Sequence, residues 1–306
     1  MKIVPVRLPL KRAFATGAGT ITVREGFLVF IGDGVGEAMP LPSAGTETLE
    51  ECRAALQSGD HTNAPCARFA VETAFLDAEA KQRGVPVAAL LDAAPRSAVP
   101  VNAVVHDDEV PPGFSSYKLK VGTPHDLERA KRLRERIGSD AELRLDANGA
   151  WSLPTAIEML RALEPLRPSY CEDPVADPSD APKLRAHTKV PIAADAWMAR
   201  PAQLFERRIA DVLVIKPAVV GGLLRAQELA HEARLRGMSV VITTMLEGVV
   251  GRLAALHLAA AVKSPHAAGL ATADLLTADH AEDPAPVRGG LITLPSAPGL
   301  GVEVRA

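Results

Sequence analysis

The sequence predicts an α/β chain in which a parallel (β/α) barrel follows a smaller α+β unit. Two observations carry that expectation. Eight short β-rich runs recur between residues 99 and 275, separated by helical segments, and eight is the count that closes a barrel. Ahead of them, roughly the first hundred residues hold long strand-like runs followed by a helix. At 306 residues, 47% hydrophobic and 23% charged, the chain can bury a core of that size.

The first part begins with "KIVPVRLPL" and "EGFLVFIGDGVGEAMP", rich in Val, Ile, Leu and Phe, which read as antiparallel strands. The run "GDGVGE" (Gly32, Gly34, Gly36) lacks the full phosphate-loop fingerprint and no helix follows, so it reads as a hairpin turn. "CARFAVETAFLDAEAKQRG" places apolar side chains at 67, 70, 71, 74, 75 and 78, one helical face, and stops at Gly84. The Pro- and Ala-rich "VPVAALLDAAPRSAVP" marks a boundary. Residues 1–98 are therefore expected as an α+β domain and 99–287 as the barrel, with 288–306 packing back on the first domain.

The eight runs are "VPVNAVV", "SSYKLKVG", "AELRLDANG", "PSYCEDP", "VPIAADAW", "DVLVIKPA", "MSVVITTMLE" and "AAGLATADL". Among the helices between them, "TPHDLERAKRLRERIG" reads with Thr123 as N-cap, Pro124 as first helical residue and Gly138 as terminator. "SLPTAIEMLRALEP" repeats the device with Ser152. An open doubly wound sheet would need a Gly-rich dinucleotide loop after an early strand, which the sequence lacks.

Charge collects where these runs end. Lys118 and Lys120 close the second, Asp146 the third, Glu172 the fourth, Asp195 the fifth and Lys216 the sixth. From Lys120 onward the intervals are 26, 26, 23 and 21 residues, about one compact βα unit each. Strand alternation aims them inward: Leu143 and Leu145 face the helices while Arg144 and Asp146 share the other face, and Lys216 opposes Ile215. Three carboxylates meeting at one point repel unless a cation joins them. Hard oxygen donors suit Mg²⁺, with Mn²⁺ the alternative. Lys120 and Lys216 flank that point from opposite sides of the barrel mouth. A neighbouring ammonium, Lys118, and a metal would lower the pKa of Lys120 toward a base's useful range. The residues alone thus point to abstraction of a proton next to a carboxylate.

The ordered set of Lys118-x-Lys120, "LDANGAW", "YCEDP", "AAD", "IKPAVVGG" and "TTMLEGVVG" resembles the enolase superfamily, in its muconate-lactonizing-enzyme-like branch. The resemblance spans nearly the whole chain, including "GVGEAMPLP" and "VETAFLDAEAKQRGVPVAALL". It implies a (β/α)7β TIM-like barrel under an N-terminal α+β capping domain. It also implies Mg²⁺ on Asp146, Glu172 and Asp195, with Lys120 and Lys216 as acid/base pair. Within the branch the chain is most similar to the o-succinylbenzoate synthase family, which implies a metal-dependent lyase acting on a small carboxylate. Lys118, Arg144, Asn148, Gly221, Gly222, Thr243, Thr244 and Glu247 are implied as substrate contacts or supports of the site. One departure is visible: Ala196 stands where the branch carries Glu after the third metal ligand. "MLEGVVGR", with Glu247, is also similar to the N-succinylamino acid racemases.

Other classes remain as alternatives. A barrel lysine can form a Schiff base in a metal-free aldolase, which would leave the carboxylates without purpose. A non-catalytic binding barrel would be expected to lose a member of the set, and all five are present. His106, His257 and His266 show no ligand spacing and read as packing or surface residues. Trp151 and Trp197 follow rim motifs and suit either a site wall or the core. Asp173, before Pro174, reads as turn chemistry. A net charge of −3 with no basic stripe disfavours nucleic acid and anionic membranes as partners. No apolar run approaches bilayer length, "MKIVPVRLPLKRAF" lacks a leader's apolar stretch, and the three cysteines form no CxxC pair. A cytoplasmic protein follows as the expectation, with its oligomeric state open.

Overall fold

The computed structural model describes residues 1–16, 19–105, 109–199, 204–205 and 209–305. Its first sheet is antiparallel and three-stranded: β1 (Lys2–Thr16), β2 (Gly19–Ile31) and β3 (Gly34–Ala38), in that order. The β2–β3 turn carries Gly32 at φ 56°, so "GDGVGE" is the hairpin its composition predicts. Two of its glycines also serve packing. A Cβ on Gly34 or Gly36 would run into the carbonyl oxygen of Ala74 or Ala70 on α2 (Pro65–Arg83). That close approach seats Ala70, Ala74 and Ala78 of the expected face on β3, and Ala67, Ala70 and Ala74 are fully buried. Phe69 is buried as well, whereas Phe75, assigned inward from periodicity, is 57% exposed. Gly84 ends α2 in the left-handed conformation. It is preceded in the chain by α1 (Leu49–Ser58), opened by a Thr48–Glu51 capping box, and followed by α3 (Val87–Leu91).

A short strand, β4 (Ala98–Pro100), leads into a seven-stranded parallel sheet. Its strands are β5 (Ala103–Val105), β6 (Ser116–Lys120), β7 (Glu142–Asp146), β8 (Tyr170–Glu172), β9 (Ile192–Ala194), β10 (Val212–Ile215) and β11 (Ser239–Ile242), paired in sequence order. The eighth β-rich run supplies single bridges rather than a strand. Ala268 bridges Val101 next to β5, and Gly269 bridges Thr243 next to β11, so one short segment touches both edges of the sheet. After it, β12 (Val287–Arg288) and β13 (Leu291–Thr293) pair antiparallel, and β13 pairs with β4. The Gly299 carbonyl accepts from Val87 N, and Leu300 N donates to Asp77 of α2.

Helices cover one face of the sheet: α4 (Asp126–Ile137), α5 (Leu153–Leu163), α6 (Ala181–Arg185), α7 (Pro217–Val220), α8 (Leu223–Leu235) and α9 (Val249–Val262). Leu119, Leu143, Leu145, Cys171, Leu213 and Ile215 pack in the main core on that side. Tyr170, Ala193, Val212, Val214 and Val241 form a separate cluster on the other face. This is the period-2 alternation of a sheet with both faces filled. Ser152 caps α5 as expected, accepting from Thr155 N. The Thr123 cap of α4 is corrected. The helix begins at Asp126, whose carboxylate accepts from Gly122 N, Thr123 N and Thr123 Oγ1, which folds residues 122–125 into a turn on that side chain. All three cysteines are buried free thiols. Among the described residues no helix is long and apolar enough to cross a membrane.

Candidate active site

Strand register assembles the charged residues. Lys120 lies beside Asp146, and Asp146 beside Glu172, at the C-terminal ends of β6, β7 and β8. Asp195 and Lys216 are the first residues after β9 and β10. The side chains meet. Lys118 Nζ is 2.9 Å from Asp146 Oδ2 and 3.1 Å from Glu172 Oε2, and Lys120 Nζ is 2.8 Å from Asp146 Oδ2. Lys216 Nζ donates to Asp195 Oδ1 at 2.5 Å. Asp146 and Glu172 are buried, while the lysine side chains retain 19–33% exposure, so the cluster opens toward its ammonium groups.

Its electrostatics are unbalanced. Burial would raise the Asp146 carboxyl, but Lys118 and Lys120 outweigh it and hold the group below the usual carboxylate range. Glu172 goes the other way, pushed up to about 7 by burial and by repulsion from Asp146 and Asp195, against Lys118. Burial would lower the Lys118 ammonium, yet Asp146, Glu172 and Asp195 raise it well above its ordinary value. Lys216 is likewise raised, burial being overcome by Asp195. At Lys118 and Lys216 the neighbouring carboxylates thus outweigh burial.

Asp173 belongs to the site although its sequence context signalled only a turn. It does sit at φ 38°, but its buried carboxylate accepts from Asp195 N at 3.0 Å and Ala196 N at 2.7 Å. Burial and the charge of Asp195 push Asp173 up to about 8. It fixes the backbone that presents Asp195. Only the spacing to the next strand end, invisible as a local motif, could have flagged it.

The other expected residues are dispersed. Arg144 is fully buried one layer below the rim, donating to Glu142, Asn102 and the Ala267 carbonyl and lying over the Tyr170 ring. Asn148 is exposed in a left-handed turn with Gly149. Thr243 Oγ1 donates to Gly269 O, and Thr244 faces Thr272. Gly221 and Gly222 lie against Arg68 and Glu72 of α2. Glu247 accepts from Met245 N and is pushed up to about 7 by burial and Glu37, against Arg24. Glu37 itself receives Gly248 N and Gly251 N, tying β3 to the start of α9. Trp151 and Trp197 are buried in the main core. His257 is enclosed, and His266 bonds Ser239 and Glu142. His106 lies outside the described residues.

Residues 105–306, about two thirds of the chain, match the family described as "Enolase C-terminal domain-like". The chain belongs to that family. Its enolase-type relatives include the o-succinylbenzoate synthase of Thermobifida fusca (strain YX), 34% identical over 304 residues, covering 92% of this chain and 86% of the relative. The N-succinyl-L-Arg/Lys racemase of Bacillus cereus (strain ATCC 14579) is 30% identical over 263 residues, covering 78% of this chain and 70% of the relative. Among solved structures, the dipeptide epimerase of Enterococcus faecalis V583, complexed with Mg and the dipeptide L-Leu-L-Tyr, superposes with a TM-score of 0.86 at 26% identity. That likeness covers 98% of both chains. This enolase-superfamily chain is an enzyme, as its relatives are.

Among the described residues no three acidic, histidine or cysteine side chains enclose a metal position as they stand, Lys118 lying between Asp146 and Glu172. The donor chemistry nevertheless fits a hard divalent cation. Buried carboxylates crowd one point, and two of them, Glu172 and Asp173, are raised by burial and by negative neighbours that the lysines do not fully offset.

Proposed function

We propose that this chain is an o-succinylbenzoate synthase, dehydrating a succinyl-hydroxycyclohexadiene carboxylate in menaquinone biosynthesis in the cytoplasm. Its catalytic body is read as a closed (β/α)7β barrel, residues 99–287, under a cap formed by 1–98 and completed by 288–306. The observation that carries the reading is the split of the rim. Lys120 and Lys216 rise from strands with three others between them, and each pairs with a different carboxylate. Two bases thus flank one acidic centre. The 34% identity to the Thermobifida fusca synthase, against 30% to the racemase, supports that substrate.

In this reading Asp146, Glu172 and Asp195 hold Mg²⁺, which when bound polarises the substrate carboxylate and acidifies the carbon next to it. Lys120, as the free amine, takes the proton from that carbon. The ammonium so formed returns a proton to the departing hydroxyl as its C–O bond breaks, so one water leaves and the ring becomes aromatic. Lys216 stays cationic on the opposite side and offsets the charge that develops on the carboxylate. Asp173 keeps the Asp195 backbone in place. Lys118, bridging Asp146 and Glu172, holds the two carboxylates in register.

A second reading has its own support. The 30% identity to the N-succinyl-L-Arg/Lys racemase accompanies a two-lysine arrangement that suits proton removal on one face and return on the other.

An ultraviolet assay decides between them. Loss of diene absorbance that needs Mg²⁺, stops with chelator, returns on re-addition and vanishes in Lys120→Ala is the expected result. No turnover of the diene, with deuterium entering N-succinylamino acids from D2O, would replace the synthase with the racemase.

A further inference from the structure

The two lysines are anchored by different parts of the molecule. The Lys120 carbonyl accepts from Arg129 Nη1 of α4 at 2.8 Å, and the next residue, Val121, donates to the Asp146 carbonyl. Both partners lie in the strand–helix unit of Lys120 or the one beside it. Lys216 is held otherwise. It is the N-cap of the four-residue α7, its carbonyl accepting from Val219 N and Val220 N. The chain then passes Gly221 and Gly222, at φ 85° and 149°, before α8 begins. A glycine pair in that conformation gives the turn little stiffness of its own.

The stiffness comes from α2, some 150 positions earlier in the chain. Arg68 Nε donates to the Gly221 carbonyl at 2.7 Å and Nη2 to the Val220 carbonyl at 3.0 Å. One turn further along α2, Glu72 accepts from Leu223 N and, at 3.0 Å, from Leu224 N. Cys66 Sγ faces the Ala218 carbonyl. An i, i+4 Arg–Glu pair therefore grips both ends of the turn, the cation on its carbonyls and the anion on the free amides opening α8. A Cβ on Gly221 or Gly222 would overlap those same two side chains.

We propose that Arg68 and Glu72 are positioning residues for Lys216 and not for Lys120, so that docking of α2 sets one base of the pair independently of the other. The proposal rests on the two-lysine reading of the site. A displacement of about 1 Å in a reacting group lowers rate by about a hundredfold, so a loosened turn has a measurable consequence.

The test is face-selective. Exchange of the α-proton into D2O is followed separately for the two enantiomers of an N-succinylamino acid. Lys216→Ala and Lys120→Ala assign which enantiomer each base serves. In Arg68→Met and Glu72→Leu, exchange of the Lys216-side enantiomer should fall about 10- to 100-fold while the other stays within about threefold. Arg129→Met should show the converse, and Arg68→Lys and Glu72→Gln, which keep the donor or acceptor, should recover most of the loss. Equal loss for both enantiomers, or none, would overturn the proposal. If the wild-type protein exchanges neither enantiomer, the two-base reading fails for these compounds and a second readout decides the clamp. Amide hydrogen exchange across 217–224, read by mass spectrometry, should quicken in Glu72→Leu but not Glu72→Gln, with β10 unchanged. Unaltered rates in that turn would sink it.

Discussion

Arg144 and Asp146 stand two residues apart on one strand and face the same interior, yet they belong to polar networks of opposite kind. Around Arg144 the charges are matched. Its guanidinium meets Glu142, Asn102 and a carbonyl, and Glu142 in turn meets His266, which meets Ser239. Burial would raise Glu142, but His266 and Arg144 outweigh it and bring it down to about 2. Around Asp146 the ledger does not balance, and two neighbouring carboxyls, Glu172 and Asp173, are pushed up to about 7 and about 8. A matched buried network holds a fold together. The one at the open end keeps carboxyls whose mutual repulsion its neighbours only partly offset.

Breaking the rim should remove activity and leave the fold. Lys120→Ala and Lys216→Ala are each expected to lower kcat by about 10³- to 10⁴-fold, roughly 4–5.5 kcal/mol of barrier, with only a modest drop in thermal midpoint, because each removes a partly exposed cation from its carboxylate. Steady-state assays beside melting curves check both halves. Breaking the lower network should do the reverse. Arg144→Met leaves Glu142 without its cation and is expected to destabilise the protein by about 3–5 kcal/mol in urea unfolding. A melting midpoint equal to wild type would show that His266 alone suffices.

A third buried network calibrates the comparison. His257 accepts from Ala88 N and faces the Leu300 carbonyl, and burial lowers its pKa from 6.5 to about 4. The unfolded chain takes up a proton at this residue that the folded one refuses. Stability is therefore whole above pH 6.5 and declines as pH falls toward 4, by about 3 kcal/mol in all. His257→Gln should flatten that part of a stability–pH curve. The smallest effect is expected at Glu172→Gln. Removing one of the crowded carboxylates should change stability by no more than about 1 kcal/mol, in the favourable direction, while activity is lost.

Much of this was written locally. Alternation placed Lys118, Lys120, Asp146, Glu172 and Lys216 on one face, because a side chain's direction in a strand depends only on its neighbours. Gly84, Gly138 and Ser152 marked helix ends for equally local reasons. Thr123 misled because Thr-Pro is a good helix start, whereas the Asp126 carboxylate competes for the same amides. Phe75 misled because the buried stripe of α2 is narrower than its apolar pattern: Ala70 and Ala74 meet the glycines of β3, and position 75 falls outside it. Asp173 and the Gly221–Gly222 pair carried no local signal of their partners.

By itself, then, the sequence determined the alternation of strands and helices, the face each charge occupies and the family to which the set belongs. The tertiary structure decided which charges meet. Arg144 turns to Glu142 while Asp146, on the same face, takes two lysines, and that division depends on strand register rather than on residue type. It also decided that α2 grips the turn after Lys216, a contact between residues 153 positions apart. Side-chain direction has a period of two residues and is fixed locally. Register and docking depend on how distant segments of the chain come to pack, and no short window of sequence contains that information.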